Sequence, residues 1–336
     1  MKRIDIWDGW RGLAISFLLM GHFIDIEWIW EDRLGVDLFF VLSGMLMSKI
    51  LFEQRTNLKD FYIRRFSRIF PVLILFVLTT YSLATVAGWE YQVREIFTNL
   101  VFIRTYYPSV PHIWDVTVPT GHLWSLNVEE HAYLIMSFMT IIFLRNKCAA
   151  SSLILLGLLS ITICFYNYLS IENYNHLDAE NLQDRFRIRT ECAISFIFLS
   201  AGYNLFKNSM AIKPNAAIPI LTFLISITCY VEHFPDWLSF SLAPILLAFT
   251  VNHLVDTPKF FQSLLSLKVI RMLGIWSYSI YLWQQAFYRF SYSIPGGAMT
   301  GLFLSIIVGI LSFYLYENPI RSWINSRWTK KNAVIT

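Results

Sequence analysis

The feature that most constrains this chain is a recurrence of apolar blocks of roughly 17–25 residues, each able to cross a ~30 Å hydrocarbon layer as a helix. They fall at 10–28, 35–52, 70–88, 122–144, 150–170, 190–206, 214–231, 237–255, 271–292 and 297–316. In lipid every backbone N–H and C=O needs an internal partner, and a helix supplies all of them within itself. The blocks therefore predict an all-α polytopic membrane protein with about ten transmembrane helices. A soluble domain carries about 25% charged residues. This chain of 336 residues carries 15%, against 56% hydrophobic. The apolar piece at 99–104 is too short to cross and is assigned to a loop. No repeat, linker or soluble domain is visible, so residues 1–336 read as a single membrane domain with a basic tail at 317–336.

The net charge of +4 does not argue for nucleic acid, because basic residues of membrane proteins gather in cytoplasmic loops and set orientation. With the N-terminus inside, the inner segments hold Lys2, Arg3, Arg11, Lys49, Arg55, Lys59, Arg64, Arg65, Arg68, Arg145 and Lys147. They also hold Lys207, Lys213, Lys259, Lys268, Arg271, Arg321, Arg327, Lys330 and Lys331, which makes 20 of the 27 basic residues. Both termini are then cytoplasmic, and Glu27, Glu31, Asp32, Glu172, Asp178, Glu180 and Asp184 fall outside. The first block lacks a small-residue cleavage site and contains Arg11, His22 and Asp25, so it is not read as a signal peptide. Cys148, Cys164, Cys192 and Cys229 have no metal-like or paired spacing and are expected to be ordinary core residues. No metal site is expected.

Charged and polar side chains inside apolar spans are costly and mark function by default. Arg11 and His22 lie eleven positions apart, three turns of helix, so they share a face about 16 Å apart. Counting the same rise from the ends of their blocks sets His22, Glu129 and Tyr281 at similar depth near the middle of the bilayer. Below them, the run Arg64-Arg65-Phe66-Ser67-Arg68 and the pair Glu317 and Arg321 form a basic cytoplasmic group. Guanidinium forks bind phosphate bidentately, although such arginines also enforce topology or meet anionic lipid. His122 and Glu130 fit interfacial positions, and His112, His176 and His233 fit outer loops. His131 and His253 have no motif partner. Trp7, Trp10, Trp28, Trp30, Trp124 and Trp237 are placed in aromatic belts at the membrane surfaces.

Several of these residues fall within a recognisable pattern. Trp7-Asp8-Gly9-Trp10-Arg11-Gly12-Leu13-Ala14 followed by Gly21-His22-Phe23 resembles the opening of the acyltransferase 3 family, with its arginine, ten residues and a histidine. Gly35-Val36-Asp37-Leu38-Phe39-Phe40-Val41-Leu42-Ser43-Gly44 is similar to the family's second-helix motif, and Arg65-Phe66-Ser67-Arg68-Ile69-Phe70-Pro71 to its basic motif. His122-Leu123-Trp124-Ser125-Leu126-Asn127-Val128-Glu129-Glu130, Ser277-Tyr278-Ser279-Ile280-Tyr281-Leu282-Trp283 and Tyr316-Glu317-Asn318-Pro319-Ile320-Arg321 complete six matches in order. One departure is Gln284, where the family often has histidine, so no role for a histidine is carried over there. The chain resembles the short form without an added extracytoplasmic domain.

The resemblance implies a membrane O-acyltransferase, most often moving acetyl from cytoplasmic acetyl-CoA to a hydroxyl of a surface polysaccharide or lipid-linked glycan. Such an enzyme would lie in a bacterial cytoplasmic membrane. On that reading Arg11, Arg65, Arg68 and Arg321 take the CoA phosphates. His22 is the general base, Glu129 orients it, and Tyr281 or Ser43 donates to the thioester oxygen. A covalent acyl-histidine remains an alternative. The rival class is a glycan transporter or flippase, which also places polar groups at mid-depth but usually on broken helices in matching halves. No inverted repeat is visible.

Overall fold

The computed structural model describes residues 5–24, 28–109, 112–143, 146–172 and 185–335, and among these it is helical, with one isolated bridge between Ile29 and Val231. Lys2, Arg3, Asp25, Glu27, Arg145, His176, Asp178, Glu180 and Asp184 lie outside the described residues. The main helices are α1 (Asp5–Phe23), α2 (Glu31–Ser48), α3 (Leu58–Val86), α4 (Val93–Leu100), α5 (Trp124–Ile142) and α6 (Asn146–Glu172). They continue as α7 (Ser195–Met210), α8 (Ile218–Thr228), α9 (Ala243–Asn252), α10 (Lys259–Leu265), α11 (Lys268–Arg289), α12 (Gly297–Ser312) and α13 (Asn318–Ile335). Each expected block overlaps one of these helices. Four helical stretches among the described residues are long and apolar enough to cross a membrane: Glu31–Glu53, Leu58–Val86, Asn146–Ser170 and Gly297–Trp328.

Several expected boundaries move. The first helix runs from Asp5 to Phe23 rather than 10–28, so Arg11 stands well inside it and His22 in its last turn. The third begins at Leu58, twelve residues before the expected start, because the Asn57 side chain accepts from the Lys59 N–H and caps it. The basic run is thus helical, and Arg65 and Arg68 share a face at i, i+3. Pro71 lies inside that helix, although proline usually opens one. The segment expected as loop also contains α4, whose first turn is closed by a box between Gln92 and Glu95.

The chain divides into two compact units, residues 1–55 with 125–275, and residues 56–124 with 276–336. In the first, helices touch through glycine. A side chain at Gly9 would collide with the Leu265 carbonyl, at Gly12 with that of Ile270, and at Gly44 with that of Ile197. Gly21 and Gly35 seat α2 against α1, at Asp32 and at Ala14 and Leu18 respectively. The Trp10 indole, fully buried, donates to the Leu38 carbonyl at 3.0 Å. Trp7 is buried too, with the Lys49 ammonium 4.5 Å above its ring. These two tryptophans are packing anchors, not belt residues. Among the cysteines Cys148 is exposed and the other three are buried, all as free thiols.

In the second unit α3 receives the end of the chain. Ser67 donates to Asn325 at 3.2 Å, and Trp328 donates to Asp60 at 2.7 Å. Gly309 of α12 meets Ile280 of α11 closely. The loop before α5 is tied by a buried pair, Arg104 and Glu95, at 3.7 Å. Arg104 also donates to the Pro108 carbonyl at 3.0 Å. Burial holds the Arg104 guanidinium below its ordinary value, and Glu95 pulls it back up.

Candidate functional site

In the first unit the polar residues of α1 and α2 fall into two levels. Arg11 donates to the buried Asp8 at 3.0 Å, and one turn earlier Asp5 accepts from Arg271 of α11 at 2.6 Å. Ser43 donates to Glu129 at 3.0 Å and pairs closely with the Tyr133 hydroxyl. Glu129 and Tyr133, four residues apart on α5, face the same side.

Gly21 touches Asp32 while α1 and α2 run antiparallel, so His22 is level with the start of α2. Ser43 lies eleven residues beyond Asp32, about 16 Å of helical rise. That places Ser43 and Glu129 level with Arg11 and leaves His22 at the other end of α1. The common depth expected for His22 and Glu129 is therefore corrected. It rested on block ends, and α1 is shifted five residues from its block. A hydrogen bond spans about 3 Å, so Glu129 is not the group that orients the imidazole in this arrangement.

Around the His22 end the sequence reading missed a buried polar set. The Tyr230 hydroxyl donates to Asp37 at 2.7 Å, and Arg33 and Arg187 are near enough to act on the same carboxylate. Arg187 is also 3.8 Å from Asp236. His131 and His253 are partnered after all. His131 bonds to Thr190 at 2.7 Å, and His253 lies between Tyr203 at 2.9 Å and Asp256 at 2.7 Å. The i, i+3 spacing of His253 and Asp256 was the available signal for the latter.

In the second unit the basic group gathers around Glu317, which is 2% exposed. Ser279 donates to it at 2.7 Å, Arg321 approaches at 3.5 Å, and the Arg68 charge also acts on it. Glu317 ends a π-helical turn, Phe313–Glu317, a distortion that recurs at functional sites because it re-aims side chains. Tyr278 donates to the Ile69 carbonyl at 2.9 Å, fixing α11 beside the basic run of α3. Tyr281 donates to the His122 carbonyl, so its proton is already committed. His122 itself is buried, edge-on to Phe76 and Tyr281, and is no interfacial group. Gln284 is fully buried and bonds to Gln285 at 3.4 Å.

Residues of the ordered motifs thus make hydrogen bonds within each unit, and the acyltransferase domain that those motifs resemble matches residues 4–330. The chain belongs to the acyltransferase 3 family. The match runs through both units of this acyltransferase 3 chain. Among similar proteins is the peptidoglycan O-acetyltransferase OatA of Listeria monocytogenes, 26% identical over 95% of this chain and 56% of its own length. A putative O-acetyltransferase of Staphylococcus aureus is 25% identical over 96% of this chain and 58% of its own. The O-acetyltransferase OatA of Staphylococcus aureus is 25% identical over 94% and 56% respectively. The chain spans just over half the length of these curated relatives. No solved structure matches it.

Proposed function

We propose that this chain is an integral membrane O-acetyltransferase that moves acetyl from cytoplasmic acetyl-CoA to a sugar hydroxyl of a cell-envelope glycan, in a bacterial cytoplasmic membrane. The observation that carries the reading is the family match across residues 4–330. The acetyl group and the glycan acceptor are taken from the relatives, one of which is named for peptidoglycan. A polysaccharide or lipid-linked sugar offers the same hydroxyl chemistry. The ten-helix arrangement with both ends inside belongs to this proposal, supported by the basic residues gathered on alternate segments.

His22 is the proposed general base. It takes the proton of the acceptor hydroxyl as the new C–O bond forms, and returns it to the thiolate as the C–S bond breaks. An imidazole suits this because its ordinary pKa lies near neutrality. Arg11, set about 16 Å away on the same face, is proposed to hold a phosphate of the donor. That distance is comparable with an extended pantetheine arm. Asp8 keeps its guanidinium aimed. Ser43 and Glu129, level with Arg11, are proposed to line the path of the donor. Arg68 and Arg321, which both act on Glu317 in the second unit, are proposed as a further phosphate contact, together with Arg65 one turn before Arg68.

The test is transfer of label from radiolabelled acetyl-CoA to envelope glycan in membranes, comparing the natural chain with His22→Ala and Arg11→Ala at matched protein level. Loss of label in both supports the reading. Full transfer by His22→Ala removes the proposed base, and no labelling by the natural chain removes the acetyl-CoA donor.

A further inference from the structure

We infer that Arg271 is a second phosphate-binding residue of the donor site, working beside Arg11 at the seam between α1 and the first turn of α11. The inference rests on the acetyl-CoA reading above. Glycines bring the two helices together: a side chain at Gly12 would strike the Ile270 carbonyl, and one at Gly274 would strike the Asp8 carbonyl. Asp5 and Asp8, one turn apart on α1, each hold one guanidinium, Arg271 at 2.6 Å and Arg11 at 3.0 Å. Two arginines therefore flank a single turn of one helix.

The two pairs are not alike. Asp8 is 5% exposed in its side chain and Arg11 21%, so that pair is a fixed mount. Asp5 is 51% exposed and Arg271 32%. An ion pair open to water holds weakly and yields to a more highly charged anion. Arg271 also has a donor to spare. Its Nε–H is buried with no hydrogen-bond partner among the described residues. A buried donor without an acceptor is costly, and a phosphate that takes the place of Asp5 would meet the guanidinium with the fork geometry it prefers. Arg271 stands in the first turn of α11, where the unpaired backbone N–H groups add attraction for an anion.

Phosphate could come from the donor or from a lipid headgroup, and the experiment separates them. The full chain is placed in phosphatidylcholine vesicles with and without phosphatidylglycerol. Acetyl transfer is measured with acetyl-CoA and with acetyl-pantetheine, which lacks the phosphates. Arg271→Gln is expected to raise KM for acetyl-CoA about ten-fold, with kcat within about two-fold. The effect should be equal in both vesicles, absent with acetyl-pantetheine, and partly restored in Arg271→Lys. Asp5→Asn, which keeps the arginine and frees it, should lower KM for acetyl-CoA and keeps the proposal testable if Arg271→Gln does not fold. Unchanged KM in these variants, an equal loss on both donors, or a loss confined to phosphatidylglycerol vesicles overturns the inference while the acetyl-CoA reading stands. If the natural chain uses neither donor, both readings fall together.

Discussion

His22 and the Ser43–Glu129 pair stand at opposite ends of α1, and their substitution should read out differently. His22→Ala removes the proposed base, so label transfer should fall roughly 10²–10⁴-fold at unchanged protein level. Glu129→Gln leaves the base in place and disturbs the hydrogen bond to Ser43. Its initial rate should fall by less than that of His22→Ala, and a loss as large would return Glu129 to the imidazole. At this scale much was legible. Arg11 and His22 announce themselves by spacing, and Asp8 sits three residues before Arg11, where a helical partner belongs. The Asp5–Arg271 contact was not legible, because a pairing between distant segments leaves no local periodicity. Tyr230, as an apolar-block tyrosine, gave no sign that it would hold Asp37.

The helices of the first unit owe their spacing to glycines whose hydrogen touches a neighbouring backbone. Gly44→Leu would drive its side chain into the Ile197 carbonyl, where Cβ alone would come within 2.1 Å. Overpacking of this kind costs roughly 1–3 kcal/mol and at times more, so a lower melting temperature in detergent is expected. In the second unit Glu95→Gln breaks a pair whose side chains are each 1% exposed. Breaking a buried ion pair costs roughly 3–5 kcal/mol. Replacing both Glu95 and Arg104 by leucine should recover part of that stability, as read by the same melting assay. Helix existence followed directly from apolar length, but helix ends did not. The charged turns before Pro71 form no apolar block, so the start of α3 at Leu58, capped by Asn57, left no apolar signal. α4 escaped because eight mixed residues make no apolar block; its amphipathic face was the overlooked signal.

For the whole molecule, the excess of Lys and Arg on alternate segments predicts both termini inside. A tag at the C-terminus should be protected from protease in intact cells and cut only after the membrane is opened. Protection lost in intact cells would reverse the arrangement. The pairing of Asp5 with Arg271 also bears on how the chain is made. The first helix leaves the ribosome roughly 260 residues before its partner exists, an interval of roughly 15–50 s at about 5–20 residues per second. During that time α1 must wait in or near the bilayer with an acid whose counterion is still untranslated. The glycine seats at Leu265 and Ile270 are equally late. Helices made late therefore complete α1, so a chain terminated before Leu265 would display an α1 without its glycine seats and without the counterion of Asp5.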